Sequence, residues 1–271
     1  MKEGLESFSS LQVGALRVLI TFICLVPIAL RNLHNLNKTN ILSIIIIGLL
    51  GSVFPAFLFP LAETKITSSL AGMLNSMSPV FTMVIGITIY KRNAIKTQFT
   101  GVILGLIGAA GLLYTGSFTF NFYGLLVVLA TLMSGFSTNE VSKVKSLNGI
   151  QITALAFFVT SPLAITYLMF SDLSAPMHTL NWGRNLFFIA ILAVVGTAIA
   201  MAIFYLLIRD TSPVFGSTVT YFIPIVATLW GFVDNEHFSS SMLISLIFIF
   251  AGVFIINRPD FFKKKRAISD E

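Results

Sequence analysis

The chain has 271 residues, of which 56% are hydrophobic and 10% charged, with a net charge of +6. A soluble domain carries roughly a quarter charged residues, so this composition excludes an ordinary water-soluble surface and reads as a polytopic membrane protein. The positive excess is not a nucleic-acid signal: five of the seventeen basic residues fall in 258–266 and others in short polar stretches, where charge sets membrane orientation.

Residues 1–9 are polar and lack the pattern of a signal peptide. The first apolar segment, Ser10–Leu30, contains Arg17. A charge at that depth either snorkels to the headgroups or faces a cavity and meets an anionic group. The second segment is Ile41–Ala62, with Pro55 and Pro60 in its latter half, and the third is Ile66–Tyr90. The fourth, Thr97–Thr115, has glycines at 101, 105, 108 and 111, which reads as a packing seam. A break at 116–121 precedes the fifth, Phe122–Asn139, and the sixth is Gly149–Phe170. A loop, Ser171–Arg184, carries an interfacial Trp182; the seventh segment is Asn185–Ile208, the eighth Thr211–Val233 and the ninth Phe238–Asn257. Cys24 is the one cysteine, so an intrachain disulfide is excluded, and His34, His178 and His237 all fall between segments.

The third segment organises the rest. It is uncharged over 25 residues, and Ser68, Gly72, Asn75, Pro79, Thr82 and Gly86 follow one another at spacings of 4, 3, 4, 3 and 4, one face of a helix. Adding 145 to each number gives Pro213, Ser217, Thr220, Pro224, Ala227 and Gly231, again all small, polar or proline. The same offset carries Gly51 onto Gly196 and Phe59 onto Phe204. The chain therefore reads as two copies of one unit. Small residues in a stripe serve close helix packing or line a polar cavity; the duplication favours the cavity. Pro79 and Pro224 cannot donate to the carbonyls of Asn75 and Thr220, which are left for a partner or a wet cavity.

Nine segments place the two ends on opposite sides. With the C-terminus cytoplasmic, thirteen basic residues lie inside, against Lys2, Lys65 and Arg184 outside. The first striped helix then ends inside and the second outside, so the two copies are inverted. Five helices per copy are expected. The second copy has five and the first has four, which predicts that its first helix is missing. The units are 1–117, an incomplete first repeat; 118–258, a five-helix second repeat; and 259–271, a basic cytoplasmic tail.

The stretches LQVGALRVLITFICLVPIAL, FPLAETKITSSLAGMLNSMSPVFTMVIG and FYLLIRDTSPVFGSTVTYFIPIVATLWGFVDNE resemble the EamA family of the drug/metabolite transporter superfamily. The resemblance covers nearly the whole chain. It implies an all-α fold of two inverted five-helix repeats. It also implies transport of small metabolites, amino-acid-like or drug-like, by alternating access and in the direction of efflux. The family's acid after each striped helix is kept at Glu236 and replaced by Lys91 in the first half.

The expected substrate cavity involves Asn75, Thr82, Thr220 and Tyr221, with Pro79 and Pro224 shaping the backbone, Phe59 and Tyr205 as an aromatic wall, and Arg17 placed to meet a carboxylate. No metal, cofactor, nucleic acid or catalytic residue is expected; the partners are a small solute and the lipid bilayer. Proton coupling calls for an intramembrane acid, but Glu63 and Glu140 stand at helix ends and read as solvated. An intramembrane enzyme would need a metal-ligand or nucleophile constellation that the sequence lacks. A non-transporting or degenerate membrane protein is the competing reading, because of the missing helix. The richness in Ile, Asn, Lys and Phe suggests a bacterial inner membrane.

Overall fold

The computed structural model describes residues 1–269 except 94, 116–118 and 234–238, and the backbone alone at 114–115, 119–120, 175, 177, 218, 221, 232 and 258–269. Among these residues nine helices are long and apolar enough to cross a bilayer. They are α1 (Ser10–Asn35), α2 (Ile41–Glu63), α3 (Ser68–Thr88), α4 (Lys96–Leu113), α5 (Phe122–Val141), α6 (Gly149–Phe170), α7 (Trp182–Asp210), α8 (Pro213–Gly231) and α9 (Ser240–Asn257). Each expected segment has its helix, with ends moved by a few residues. The helix of α9 runs on to Ser269. Around the expected break, β1 (Tyr114–Thr115) pairs antiparallel with β2 (Thr119–Phe120).

Local chemistry sets several starts. Ser9 and Gln12 form a capping box at α1, and Asn148 and Gln151 another at α6. Asn121 caps α5, its side chain accepting from the N–H groups of Tyr123 and Gly124. In lipid the interior must be won by close packing rather than by the hydrophobic effect, and the glycines of α4 do this. A Cβ on Gly252 of α9 would lie 2.5 Å from the carbonyl oxygen of Gly101 and 2.7 Å from the nitrogen of Gly105. The expected seam on α4 is thus the crossing with α9. Elsewhere α1 packs on α6, α3 on α8, and α5 on both α2 and α3.

Two local irregularities recur at the 145-residue offset. Leu49–Val53 of α2 and Val194–Ile199 of α7 are both π-helical turns. Pro55 cannot donate to the carbonyl of Gly51, which favours the wider turn in α2. In α7 the carbonyl of Leu192 is met instead by the Thr197 hydroxyl at 3.1 Å. The striped helices are interrupted in step as well. In α3 a turn at Ser76–Met77 separates Ser68–Asn75 from Ser78–Thr88. In α8 a 3-10 turn, Thr218–Tyr221, separates Pro213–Ser217 from Phe222–Val233. Pro79 and Pro224 each lie in the first turn beyond the interruption, where a missing N–H is harmless.

Candidate functional site

The π-turns and interrupted helices surround one cavity of about 410 Å³ near the middle of α2, α3, α7 and α8. An extra residue in a π-turn widens the helix and leaves carbonyls off the regular ladder, and such turns gather at functional sites. Here the turns carry Gly51 and Ser52 on one side and Gly196 and Thr197 on the other, all lining the cavity.

The lining is built from the repeat. Gly51 with Gly196, Ser52 with Thr197, Pro55 with Ala200, Ala56 with Met201, Phe59 with Phe204, Asn75 with Thr220, and Ser78 with Ile223 are seven pairs related by 145, and both members of each face the cavity. The rest are Val219 and Tyr205, Arg17 from α1, and Ser134, Ser137 and Thr138 from α5.

Of the residues singled out from sequence, Arg17, Phe59, Asn75, Tyr205 and Thr220 line the cavity. Pro79, Thr82 and Pro224 are buried but do not line it. The backbone carbonyl of Thr82 accepts from Asn139 Nδ2 of α5 at 2.9 Å. The side chain of Tyr221 lies outside the described residues. Ser52, Thr197, Met201 and the α5 hydroxyls also line the cavity and were not among the residues expected from sequence. The 145 offset applied along the whole of α2 would have found the first three.

Second contacts fix these groups. Asn75 Oδ1 accepts from the Thr131 hydroxyl of α5 at 3.4 Å, and Thr220 donates to the carbonyl of Ser217 at 2.7 Å. Tyr205 is fully buried, with its hydroxyl 3.1 Å from Ser137 Oγ. A Cβ on Gly51 would collide with both of those oxygens, so only glycine lets α2 meet α5 and α7 here. Arg17 donates from Nε to Thr197 Oγ1 at 2.7 Å.

Beyond Ser137, at the C-terminal end of α5, lies a polar knot. Glu140, read from sequence as solvated, is 5% exposed. It accepts from Ser43 at 2.7 Å, from the Tyr90 hydroxyl, and from Lys143, whose Nζ lies 3.2 Å away. The cause is the neighbour: α2 begins and α3 ends against this last turn of α5. Burial and the bond to Glu140 push the Tyr90 phenol well above its ordinary range, and burial draws the Arg92 guanidinium down. Arg92 donates to Ser142 at 2.6 Å. Glu63 ends α2 and accepts from Ser68 at 3.4 Å.

With this geometry in place, comparison with known proteins gives a consistent answer. The model of the EamA-like transporter family matches residues 1–114 and 121–258. Over 136 residues the chain is 26% identical to "Uncharacterized transporter YdfC" of Bacillus subtilis, spanning 49% of this chain but only 44% of that relative. It is 24% identical to "Uncharacterized inner membrane transporter YedA" of Escherichia coli K12, over 84% of this chain and 74% of the relative. Against "Protein PecM" of Dickeya dadantii the identity is 22%, over 80% and 73%. A solved crystal structure shares the fold with a TM-score of 0.67 at 15% identity, covering 94% of this chain and 90% of that one. The chain is a membrane protein that belongs to the EamA-like transporter family.

Proposed function

We propose that the chain transports small metabolites across a bacterial inner membrane, working as an exporter by alternating access between two inverted repeats. The observation that carries this reading is the cavity lining: seven residue pairs, one member from each copy, meet around one space near the middle of the helices. A site shared by two copies of one unit is reached from either side when the copies rock against each other. The turns that interrupt α2, α3, α7 and α8 beside the cavity are places where such helices bend. The relatives named as transporters support the same class of activity. The C-terminus lies in the cytoplasm on this reading.

The test is counterflow in proteoliposomes loaded with a mixed pool of small metabolites. The wild type should exchange at least one solute. Asn75→Ala and Thr220→Val, which alter a matched pair in the cavity, should each slow that exchange by about ten-fold while leaving the melting temperature in place. Flux that is absent from the wild type, or indifferent to both substitutions, would sink the reading.

A further inference from the structure

Arg17 is one of the cavity residues outside the matched pairs, and its surroundings are specific. Among the described lining residues it is the one charged group. Its Nε is held by Thr197 Oγ1 at 2.7 Å, and the Thr197 hydroxyl in turn donates to the carbonyl of Leu192 at 3.1 Å, so the acceptor is itself oriented. Thr21, one turn along α1, donates to the Arg17 carbonyl at 2.8 Å and lies 3.0 Å from the carbonyl of Ala193 on α7. The Nε bond ties the guanidinium to α7 and orients its plane.

With Nε engaged, the edge formed by Nη1 and Nη2 is left over. Among the described residues no hydrogen bond reaches it and no carboxylate lies within ion-pair distance. Glu63, at the end of α2, lies beyond ion-pair distance of Arg17 and accepts from Ser68 at 3.4 Å. A cation in the membrane interior calls for an anionic partner, and a planar two-donor edge matches a carboxylate in bidentate fashion. A doubly charged phosphate would face a single cation. The remaining lining mixes hydroxyls with Phe59, Met201, Phe204 and Ile223.

Resting on the reading of the cavity as a transport site, we propose that its substrates are small organic monocarboxylates. The two carboxylate oxygens accept from the free edge of Arg17, and the apolar body lies on the aromatic and aliphatic wall.

The test uses the full chain in phosphatidylcholine nanodiscs, with 3-phenylpropanoate and its neutral amide as probes and calorimetric titration as readout. The acid should bind at least ten-fold more tightly than the amide. Arg17→Gln should abolish that preference and Arg17→Lys should keep only part of it, since the charge remains and the fork is lost. Thr197→Val retains the charge but frees the guanidinium, and should cut the preference about three-fold; with Arg17→Lys it carries the test if Arg17→Gln fails to fold. Equal binding of acid and amide, no binding of the acid, or an unchanged preference in these variants overturns the proposal. Loss of acid binding when phosphatidylglycerol is added to the nanodiscs overturns it too, and assigns the edge to a lipid headgroup. Flux separates this idea from the transport reading. Counterflow of neutral solutes with no preference for acids would sink the carboxylate assignment alone. Arg17-dependent binding without flux would sink the transport reading alone.

Discussion

Met77 of α3 is fully buried, whereas Phe222 of α8, 145 residues on, is 68% exposed. Ile85 and Trp230, a second matched pair, are 3% and 65% exposed. Phe81 and Val226 differ in the same sense. The two helices carry the same stripe, so the difference comes from their neighbours. Against α3 lies α5: a Cβ on its Gly135 would come within 3.1 Å of the Phe81–Thr82 backbone, and Thr131 and Asn139 bond to Asn75 and Thr82. Among the described residues no helix lies against the matching face of α8. In a membrane, then, the burial of a helix is set by what packs on it, since apolar side chains face lipid and protein alike.

The largest test of this contrast truncates one matched pair. Met77→Ala should lose about 2–5 kcal/mol of unfolding free energy, as large-to-small changes do in a packed interior. Phe222→Ala should change it by less than about 0.5 kcal/mol, as away from such packing. Unfolding in mixed micelles would measure both, and similar losses would mean that the face of α8 is covered in the membrane. Next in size is the tether of α5 to the first copy. Glu140→Ala leaves Ser43, Tyr90 and Lys143 without their acceptor and should cost about 3 kcal/mol by the same titration. A loss below about 1 kcal/mol would show that the knot is surface chemistry.

A third test uses the glycines of the two π-turns. At Gly51 a Cβ meets Ser137 and Tyr205, while at Gly196 it meets Leu192 Cδ1 at 3.0 Å, a flexible side chain of its own helix. Gly51→Ala should therefore destabilise by about 1–3 kcal/mol, and Gly196→Ala should be nearly silent, as read by melting temperature on size-exclusion chromatography. Equal damage would erase the contrast. The smallest effect is at the turn that follows α3. Lys91 has φ 51°, the left-handed conformation that glycine adopts freely. Lys91→Gly should raise stability by about 1 kcal/mol, visible as a higher melting temperature.

How much of this was legible in the sequence follows from what periodicity can carry. The nine helices were legible because long apolar runs separated by charged or turn-forming residues have one solution in lipid. The striped face and its repetition were legible because helical spacing converts numbers into faces. The π-turns were not, since a reading at 3.6 residues per turn assumes the regularity that they break. Tyr205 was named as a partner for Phe59, although the offset residue Phe204 also lines the cavity; both reach it from the helical stretch just past the bulge. The burial of Glu140 was hidden because its partners, Ser43 and Tyr90, are 97 and 50 residues away in the chain. Nothing in the sequence around Arg17 announced Thr197, 180 residues on.

The paired π-turns also make the cavity sensitive to counting. Residues beyond such a turn keep their order along the helix but are rotated relative to those before it. Removing one residue from Leu49–Val53 would return α2 to a regular helix and swing Pro55, Ala56 and Phe59 by about 100° around its axis. The same deletion in Val194–Ile199 would swing Ala200, Met201 and Phe204. A change that leaves length and hydropathy almost untouched would thus carry three of the seven matched pairs off the wall. Single-residue insertions and deletions, ordinarily confined to loops, have here a defined pair of addresses inside the membrane.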